Sequence, residues 1–184
     1  MYRKVKKQIF IKTAIMVAIL LGMALMAFVF GAAKIRATSV GMKGVYFTIV
    51  IIAVFAVIAI YTVLSHYLGL KSMLSSLGNP SDDEMEQILE QAEPADERDV
   101  PLIYLTEDHI LNFESLRAYE FGNIRSVKQS HHSSGSDTSS DYYDVVIKLD
   151  GKPRKDIISF SFRSQRDHVY NKIKEACEMR GIHI

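Results

Sequence analysis

The sequence lacks tryptophan, and it has a single cysteine, Cys177, and four prolines in 184 residues. With one thiol the chain cannot form an internal disulfide, so no disulfide framework supports its fold. Cys177 falls in a helical pattern near the end of the chain, and we interpret it as a small packed residue rather than a nucleophile. Without tryptophan, an aromatic belt at a membrane surface would consist of tyrosine and phenylalanine.

Formal charge is absent from two long stretches, residues 13–33 and 44–65, which are 21 and 22 residues long. Each is close to the ~20 apolar residues that carry a helix across the hydrocarbon core of a bilayer. Because backbone groups in hydrocarbon must satisfy their own hydrogen bonds, both stretches are predicted to be helices. The connection between them is short, so the sequence predicts a membrane-spanning helical hairpin over residues 13–77.

The basic residues that flank this hairpin predict its orientation. Three lie in the connection and one, Lys71, follows the second span. Five lie in the N-terminal flank of residues 1–12, namely Arg3, Lys4, Lys6, Lys7 and Lys12. Cytoplasmic loops carry the excess of Lys and Arg, which predicts a multi-pass protein of the plasma membrane with both termini cytoplasmic. The inverted topology is the alternative. The first apolar run exceeds the 7–15 residues of a signal peptide core, which favours an uncleaved anchor.

Small residues recur every four positions in the first span, at Ala14, Ala18 and Gly22. Such a stripe lets two helix backbones approach closely. It predicts either packing against the second span, through Ala53, Ala56 or Ala59, or homodimerisation along the same stripe. Neither span contains Asp, Glu, Lys or Arg, and intramembrane ionisable groups usually mark ion or proton paths. A transporter or channel that acts alone is therefore not predicted.

An acidic linker, residues 78–99, follows the hairpin. Between Ser81 and Asp99 it holds nine acids against one base, Arg98. Ser81 and Glu84 form a capping-box pattern at the start of a short predicted helix, residues 82–91. We interpret the linker as a solvated spacer that an anionic membrane surface repels. The alternatives are a site for a basic partner or for a metal.

From Val100 onward the apolar residues alternate as they do in strands. Residues 130–141 are predicted to form the polar, flexible tip of a β-hairpin, and Asp150-Gly151 is predicted to form a turn. Residues 165–180 are predicted to form an amphipathic helix with Ser164 as its N-cap and Gly181 as its stop. This domain carries 12 residues of each charge sign, so nucleic acid is not an expected partner. The predicted strands are residues 102–106, 109–113, 116–121, 124–129, 142–149 and 155–162.

The stretch LIYLTEDHILNF…LRAYEFGNIRSV, together with the terminal helix, resembles bacterial pleckstrin-homology-like (PH-like) domains fused to a two-helix membrane anchor. The resemblance covers residues 100–182. It implies an α+β domain, residues 100–184, in which a curved antiparallel sheet or partial barrel of about six strands is capped by a C-terminal helix. Eukaryotic relatives bind phosphoinositides through basic early turns. The turns here are Glu107-Asp108 and Glu114-Ser115, which would repel such headgroups, so phosphoinositide is not an expected ligand.

Three functions follow from these features. The first is a non-enzymatic module, anchored in the lipid bilayer, whose PH-like domain binds a protein or its own copies. The second is an accessory or regulatory subunit of a larger membrane complex. The third is a small metal-dependent hydrolase built from His109, His131, His132, Asp137 or Asp141. No nucleophile–base motif, phosphate-binding glycine loop or HExxH pattern is present, so the first is favoured, with no catalytic, cofactor-binding or metal-ligating residue and no cofactor.

Overall fold

The computed structural model describes residues 1–37, 42–133, 141–152 and 155–182. The chain divides into two compact units, Lys6–Lys71 and Met1–Val5 with Ser72–Ile184. The helices among the described residues are α1 (Tyr2–Ala37), α2 (Met42–Ser76), α3 (Asp82–Gln91) and α4 (Arg163–Met179). The strands are β1 (Glu93–Pro94), β2 (Ile103–Leu105), β3 (His109–Asn112), β4 (Arg117–Glu120), β5 (Ile124–Ser133), β6 (Asp141–Leu149) and β7 (Lys155–Phe160).

The first unit consists of the two long helices. Tyr2–Gly31 of α1 and Val45–Ser76 of α2 are long and apolar enough to cross a membrane, which confirms the two predicted apolar helices. Large apolar side chains are exposed along both, for example Phe10 at 73% and Tyr61 at 70%. Both helices extend beyond the uncharged stretches, because the basic flank of α1 is rich in Lys and Arg, which are good helix formers.

Most of the residues that are buried or half-buried within this unit recur at alternating intervals of four and three residues. This period of 3.5 is that of a left-handed pair of helices packed side by side. A Cβ built at Gly31 would overlap the side chain of Thr48, so the absence of a side chain there permits the closest approach of α1 and α2. The seam consists of Thr13, Val17, Leu20, Ala24, Ala27 and Gly31 on α1, and of Thr48, Ile52, Phe55, Ala59, Thr62, His66 and Gly69 on α2.

The second unit contains antiparallel strands and α4, as the sequence predicts, but the strands form two sheets instead of the single curved sheet or partial barrel that was expected. One sheet has the order β1-β2-β3-β4 and the other the order β5-β6-β7. Seven strands are present among the described residues instead of about six, because β1 pairs Glu93 with Leu105 inside the predicted linker. A strand of two residues that includes proline has no periodicity to detect and can lie only at an edge.

The main core lies between the two sheets and α4. It includes Ile103 and Ile110 of the first sheet, Val145 and Ile158 of the second, and Ile173 of α4. β7 ends at Phe160, and the extended residue Phe162 is the N-cap of α4. The prediction that Ser164 caps this helix is therefore wrong. The chain turns two residues earlier, so Ser164 lies within the first helical turn, and the predicted strand end at Phe162 is an exposed side chain.

The local stop and turn signals are confirmed. Ser81 and Glu84 form both hydrogen bonds of a capping box at the start of α3. Gly78 ends α2 with φ of 83°, and Gly181 follows α4 with φ of 70°. β5 continues to Ser133 and β6 begins at Asp141, so this hairpin is longer than predicted; the centre of the predicted flexible tip lies outside the described residues.

The first sheet is buried on both faces. Tyr104 and Leu111 form a cross-strand pair whose side chains point away from the main core. Phe113 contacts both Tyr104, at 6.0 Å between ring centroids, and Tyr2, at 6.2 Å. A second buried cluster, which we call the outer cluster, thus forms from the two ends of the hairpin, α3 and this sheet. Its members are Tyr2, Val5, Met73, Met85, Leu89, Leu102, Tyr104, Leu111 and Phe113.

Candidate functional site

The histidines proposed for a hydrolase do not converge. His109 lies on β3 in the first sheet, whereas His131 and His132 are adjacent on β5 and so face opposite sides of the second sheet. His131 Nε2 lies 3.6 Å from Asp141 Oδ1. Asp137 lies outside the described residues. Within the part of the chain that the structure describes, no group of three or more His, Cys, Asp or Glu side chains could hold a metal.

His132 instead pairs with an aspartate that sequence reasoning missed. Its Nδ1 lies 2.8 Å from Oδ2 of Asp144, a residue only 2% exposed. The ring also stacks on Tyr142, at 5.4 Å between centroids. Oδ1 of Asp144 has no hydrogen-bond partner among the described residues. The one available signal was an acid in the middle of an otherwise apolar strand.

A carboxylate that holds one ring nitrogen of histidine orients the imidazole and leaves the other nitrogen at the surface. Such a pair can accept or donate a proton, but covalent catalysis also needs a nucleophile within hydrogen-bond reach. Among the described residues, His132 makes no hydrogen bond to a hydroxyl or thiol side chain. The pair therefore orders the edge of the sheet, and its geometry does not form a catalytic site.

On the other side of β5, a buried arginine ties the sheet to α4. Arg166 Nη1 donates to the carbonyl oxygen of Ser130 at 3.2 Å, and its guanidinium lies 5.5 Å from the ring centroid of Tyr143. The same guanidinium pairs with Asp167 at 2.6 Å. Because each polar contact satisfies a partly buried charge, this cluster stabilises the junction between β5, β6 and α4.

The side of the second sheet that faces away from α4 is open. We call this side the outer face. Along each strand, residues of the outer face alternate with residues that point into the core. Val146 and Ile157 form a directly opposed pair at its centre, and Ile157 is 54% exposed. β7 is an edge strand of this sheet. The outer face comprises Lys128, Ser130 and His132 on β5, Tyr142, Asp144, Val146 and Lys148 on β6, and Lys155, Ile157 and Ser159 on β7.

The small-residue stripe does not pack against any part of the chain that the structure describes. Ala14, Ala18 and Gly22 are all exposed, and no atom lies within 4 Å of a Cβ built at Gly22. The predicted packing of this stripe on the second span is therefore replaced by the seam, because a 3.5-residue period selects a neighbouring side of α1. Of the residues expected opposite the stripe, only Ala59 is buried. Homodimerisation through the stripe stays a prediction.

The basic residues chosen as topology determinants all lie on α1, and their side chains are exposed. Arg3 contacts α3, since its guanidinium lies 3.2 Å from Asp83 and its backbone N–H donates to Glu86 at 3.1 Å. The remaining determinants are Lys4, Lys6, Lys7 and Lys12. The acidic helix thus has a basic partner within the chain, which the linker interpretation did not anticipate.

The single cysteine is a packed residue, as predicted. Cys177 is fully buried in the main core on α4. Burial raises the pKa of its thiol to about 11, so the thiolate that would act as a nucleophile is scarce at neutral pH.

No protein-family model matches the chain, and neither a curated protein nor a solved structure is similar to it.

Proposed function

We propose that this protein is a membrane-anchored, non-enzymatic interaction module. In this proposal the hairpin holds a PH-like domain at the cytoplasmic face of the plasma membrane, where the domain binds a protein partner or a second copy of the chain. The observation that carries the proposal is the open outer face, where Ile157 on the edge strand β7 is 54% exposed beside the half-buried Val146. Sheet edges and uncovered apolar faces are common surfaces for protein contacts.

One feature supports the PH-like interpretation. Antiparallel strands are followed by a C-terminal helix that packs against the core, as the resemblance implies, although the strands form one sheet of four and one of three. The acidic turn Glu107-Asp108 connects β2 to β3, so the argument against phosphoinositide binding at the early turns still applies.

The orientation of the hairpin is supported by the packing of its ends. Tyr2 and Val5 at the start of α1 are buried in the same compact unit as the C-terminal domain, which begins at the end of α2. The N-terminus and the domain would therefore lie on one side of the bilayer. The excess of basic residues on that side favours the cytoplasm.

The exposed stripe favours a second candidate function, an accessory subunit of a larger membrane complex. Ala14, Ala18 and Gly22 present a smooth surface that no other part of the described chain covers. Without a partner in the hairpin itself, small residues at this spacing suit close contact with a helix of another chain.

The test uses the full chain purified in a mild detergent, with the mass of the complex and the stoichiometry of any bound protein measured together. Ile157→Glu should remove the oligomer or the bound partner, because it places a charge at the centre of the outer face. Met179→Glu is the matched control, since Met179 is 70% exposed but lies on α4. If Ile157→Glu leaves mass and composition unchanged, the outer face is not the interaction surface.

Gly22→Leu separates the two candidates. It should abolish co-purification only if the stripe contacts another membrane helix, and it should leave an interaction through the outer face intact.

A further inference from the structure

A cavity of about 600 Å³ lies at the junction between the end of α2 and the two sheets. Its lining residues all belong to one compact unit. One wall is the last turn of α2, with Ser72 and Ser76, and another is the start of β7 with the turn that precedes it. The floor is the start of β4, where Leu116 has φ of 55°.

The charge that lines this cavity is positive. Arg117 and Asp156 form an ion pair with each other and so contribute little net charge. Lys152 and Lys155 also line the cavity, and neither has an ion-pair partner among the described residues. Two uncompensated ammonium groups therefore face a space that is large enough for a small polar group.

The adjacent strand strengthens this positive field. Lys148 on β6 is directly opposite Lys155 on β7. Like charges in directly opposed positions destabilise a sheet, and a bound anion would relieve that repulsion. In the sequence, residues 148–155 carry four basic residues and one acid, within a domain that is otherwise balanced in charge.

The position of the cavity along α2 suggests where its ligand comes from. Ser72 lies seven residues beyond the uncharged stretch that ends at Ser65, which is about 10 Å along the same helix. The headgroup region extends about 5–7 Å beyond the hydrocarbon core on each side of a bilayer. Ser72 would thus lie near the outer limit of the headgroups.

We propose that this cavity binds a phosphate group through Lys152 and Lys155, with the hydroxyl groups of Ser72 and Ser76 at its other wall. Lysine acts on phosphate as a point charge with several donors, and the hydroxyl of Ser72 can donate a hydrogen bond. The hydroxyl of Ser76 donates to the carbonyl oxygen of Met73 at 2.7 Å and would have to rotate to donate to a ligand. Two sources carry this chemistry, the headgroup of an anionic phospholipid and free phosphate. The proposal does not depend on the apolar pair Val146 and Ile157, although Lys155 belongs to the outer face. Leu116, which lines the cavity, directly follows the turn Glu114-Ser115.

The experiment titrates the full chain in a non-ionic detergent with phosphatidylglycerol or phosphatidylcholine and counts bound lipids by native mass spectrometry. We expect phosphatidylglycerol to bind more tightly, and Lys152→Gln/Lys155→Gln to weaken it by about fivefold for each lysine removed, equivalent to about 1 kcal/mol each. Lys174→Gln on α4 is the matched control and should change nothing, because its ammonium group lies near Glu178 at 3.6 Å.

A second measurement identifies the source. Equilibrium dialysis of inorganic phosphate, at matched ionic strength, is compared for the wild type and the double variant. Lysine-dependent binding of phosphatidylglycerol alone supports a lipid headgroup, and lysine-dependent binding of inorganic phosphate supports a soluble ligand. If neither ligand distinguishes the double variant from the wild type, the proposal is wrong. An unreactive Cys177 in each variant verifies that the domain is folded.

Discussion

Two tyrosines of the first sheet should respond with opposite signs to removal of their hydroxyl groups. Tyr104 is completely buried, and its hydroxyl has no hydrogen-bond partner among the described residues. Burial, followed by the negative charge of Asp96, raises its pKa to about 12. Tyr119 is nearly as buried, but its hydroxyl is not among the buried polar atoms left without a partner, and an interaction with the Ser115 side chain opposes the effect of burial on its pKa. Phenylalanine at either position preserves the ring and removes one oxygen.

An unsatisfied buried polar group costs about 1–3 kcal/mol. Tyr104→Phe removes this cost and leaves a void of about one oxygen atom, which costs about 0.3 kcal/mol. We therefore expect a gain of about 1 kcal/mol in the free energy of unfolding, taken from the lower end of that range. Tyr119→Phe loses the interaction of its hydroxyl with Ser115 and should destabilise by about 1 kcal/mol.

Cys177 provides the assay, because it is the chain's single thiol and is fully buried. The rate at which a thiol reagent modifies it in the full chain, in detergent micelles at fixed pH, reports the population of the opened domain. A change of 1 kcal/mol corresponds to about fivefold in that rate, so Tyr104→Phe should slow labelling and Tyr119→Phe should accelerate it. Faster labelling of Tyr104→Phe, or a shift of both variants in one direction, would refute the reasoning.

Two further predictions concern the hairpin and the response to pH. Gly31→Ala should destabilise the hairpin by about 1–3 kcal/mol in an SDS unfolding titration, because its Cβ would overlap Thr48. Gly22→Ala should leave stability unchanged, and Gly31→Ala/Thr48→Ala should restore it. Equal effects of Gly31→Ala and Gly22→Ala would contradict the seam. Burial raises the pKa of Asp96 above 3.8. As the pH rises above about 4, the folded state therefore retains a proton that the unfolded state releases. The contribution of Asp96 to stability falls as a result. Asp96→Asn should lack this fall when urea midpoints of the two proteins are compared between pH 4 and 7, and parallel curves would show that the shift is absent.

The features that the sequence predicted correctly depend on local patterns. The capping box of α3 needs only Ser81 and Glu84, and the stop after α4 needs only a glycine that adopts positive φ. The alternation of β6 and β7 follows from the period of two in a strand with one face in a core. Each of these signals lies within a few residues and is therefore visible without tertiary contacts.

The features that were missed depend on residues far apart in sequence. The pairing of Glu93 with Leu105 and the burial of Tyr2 against Phe113 have no local signature. The stripe at Gly22 was a real pattern, but the seam through Gly31 was set by the partner helix. For the candidate site, alternation predicts which residues of β7 face outward, whereas the pairing of His132 with Asp144 requires the register of two strands.

The outer cluster explains why the run from Leu102 to Leu105 has no alternation. Residues of one parity contribute to the main core, whereas Leu102 and Tyr104, of the other parity, are buried outside it. Tyr104 contacts Phe113, which contacts Tyr2 near the N-terminus, so a residue outside the predicted domain covers part of the second face of this sheet. A chain limited to residues 100–184 would expose that face to water, at a cost of about 25 cal/mol for each Å² of apolar surface uncovered. The segments Met1–Val5 and Ser72–Ser76 therefore belong to the same compact unit as the domain, and interaction and ligand-binding measurements belong on the full chain.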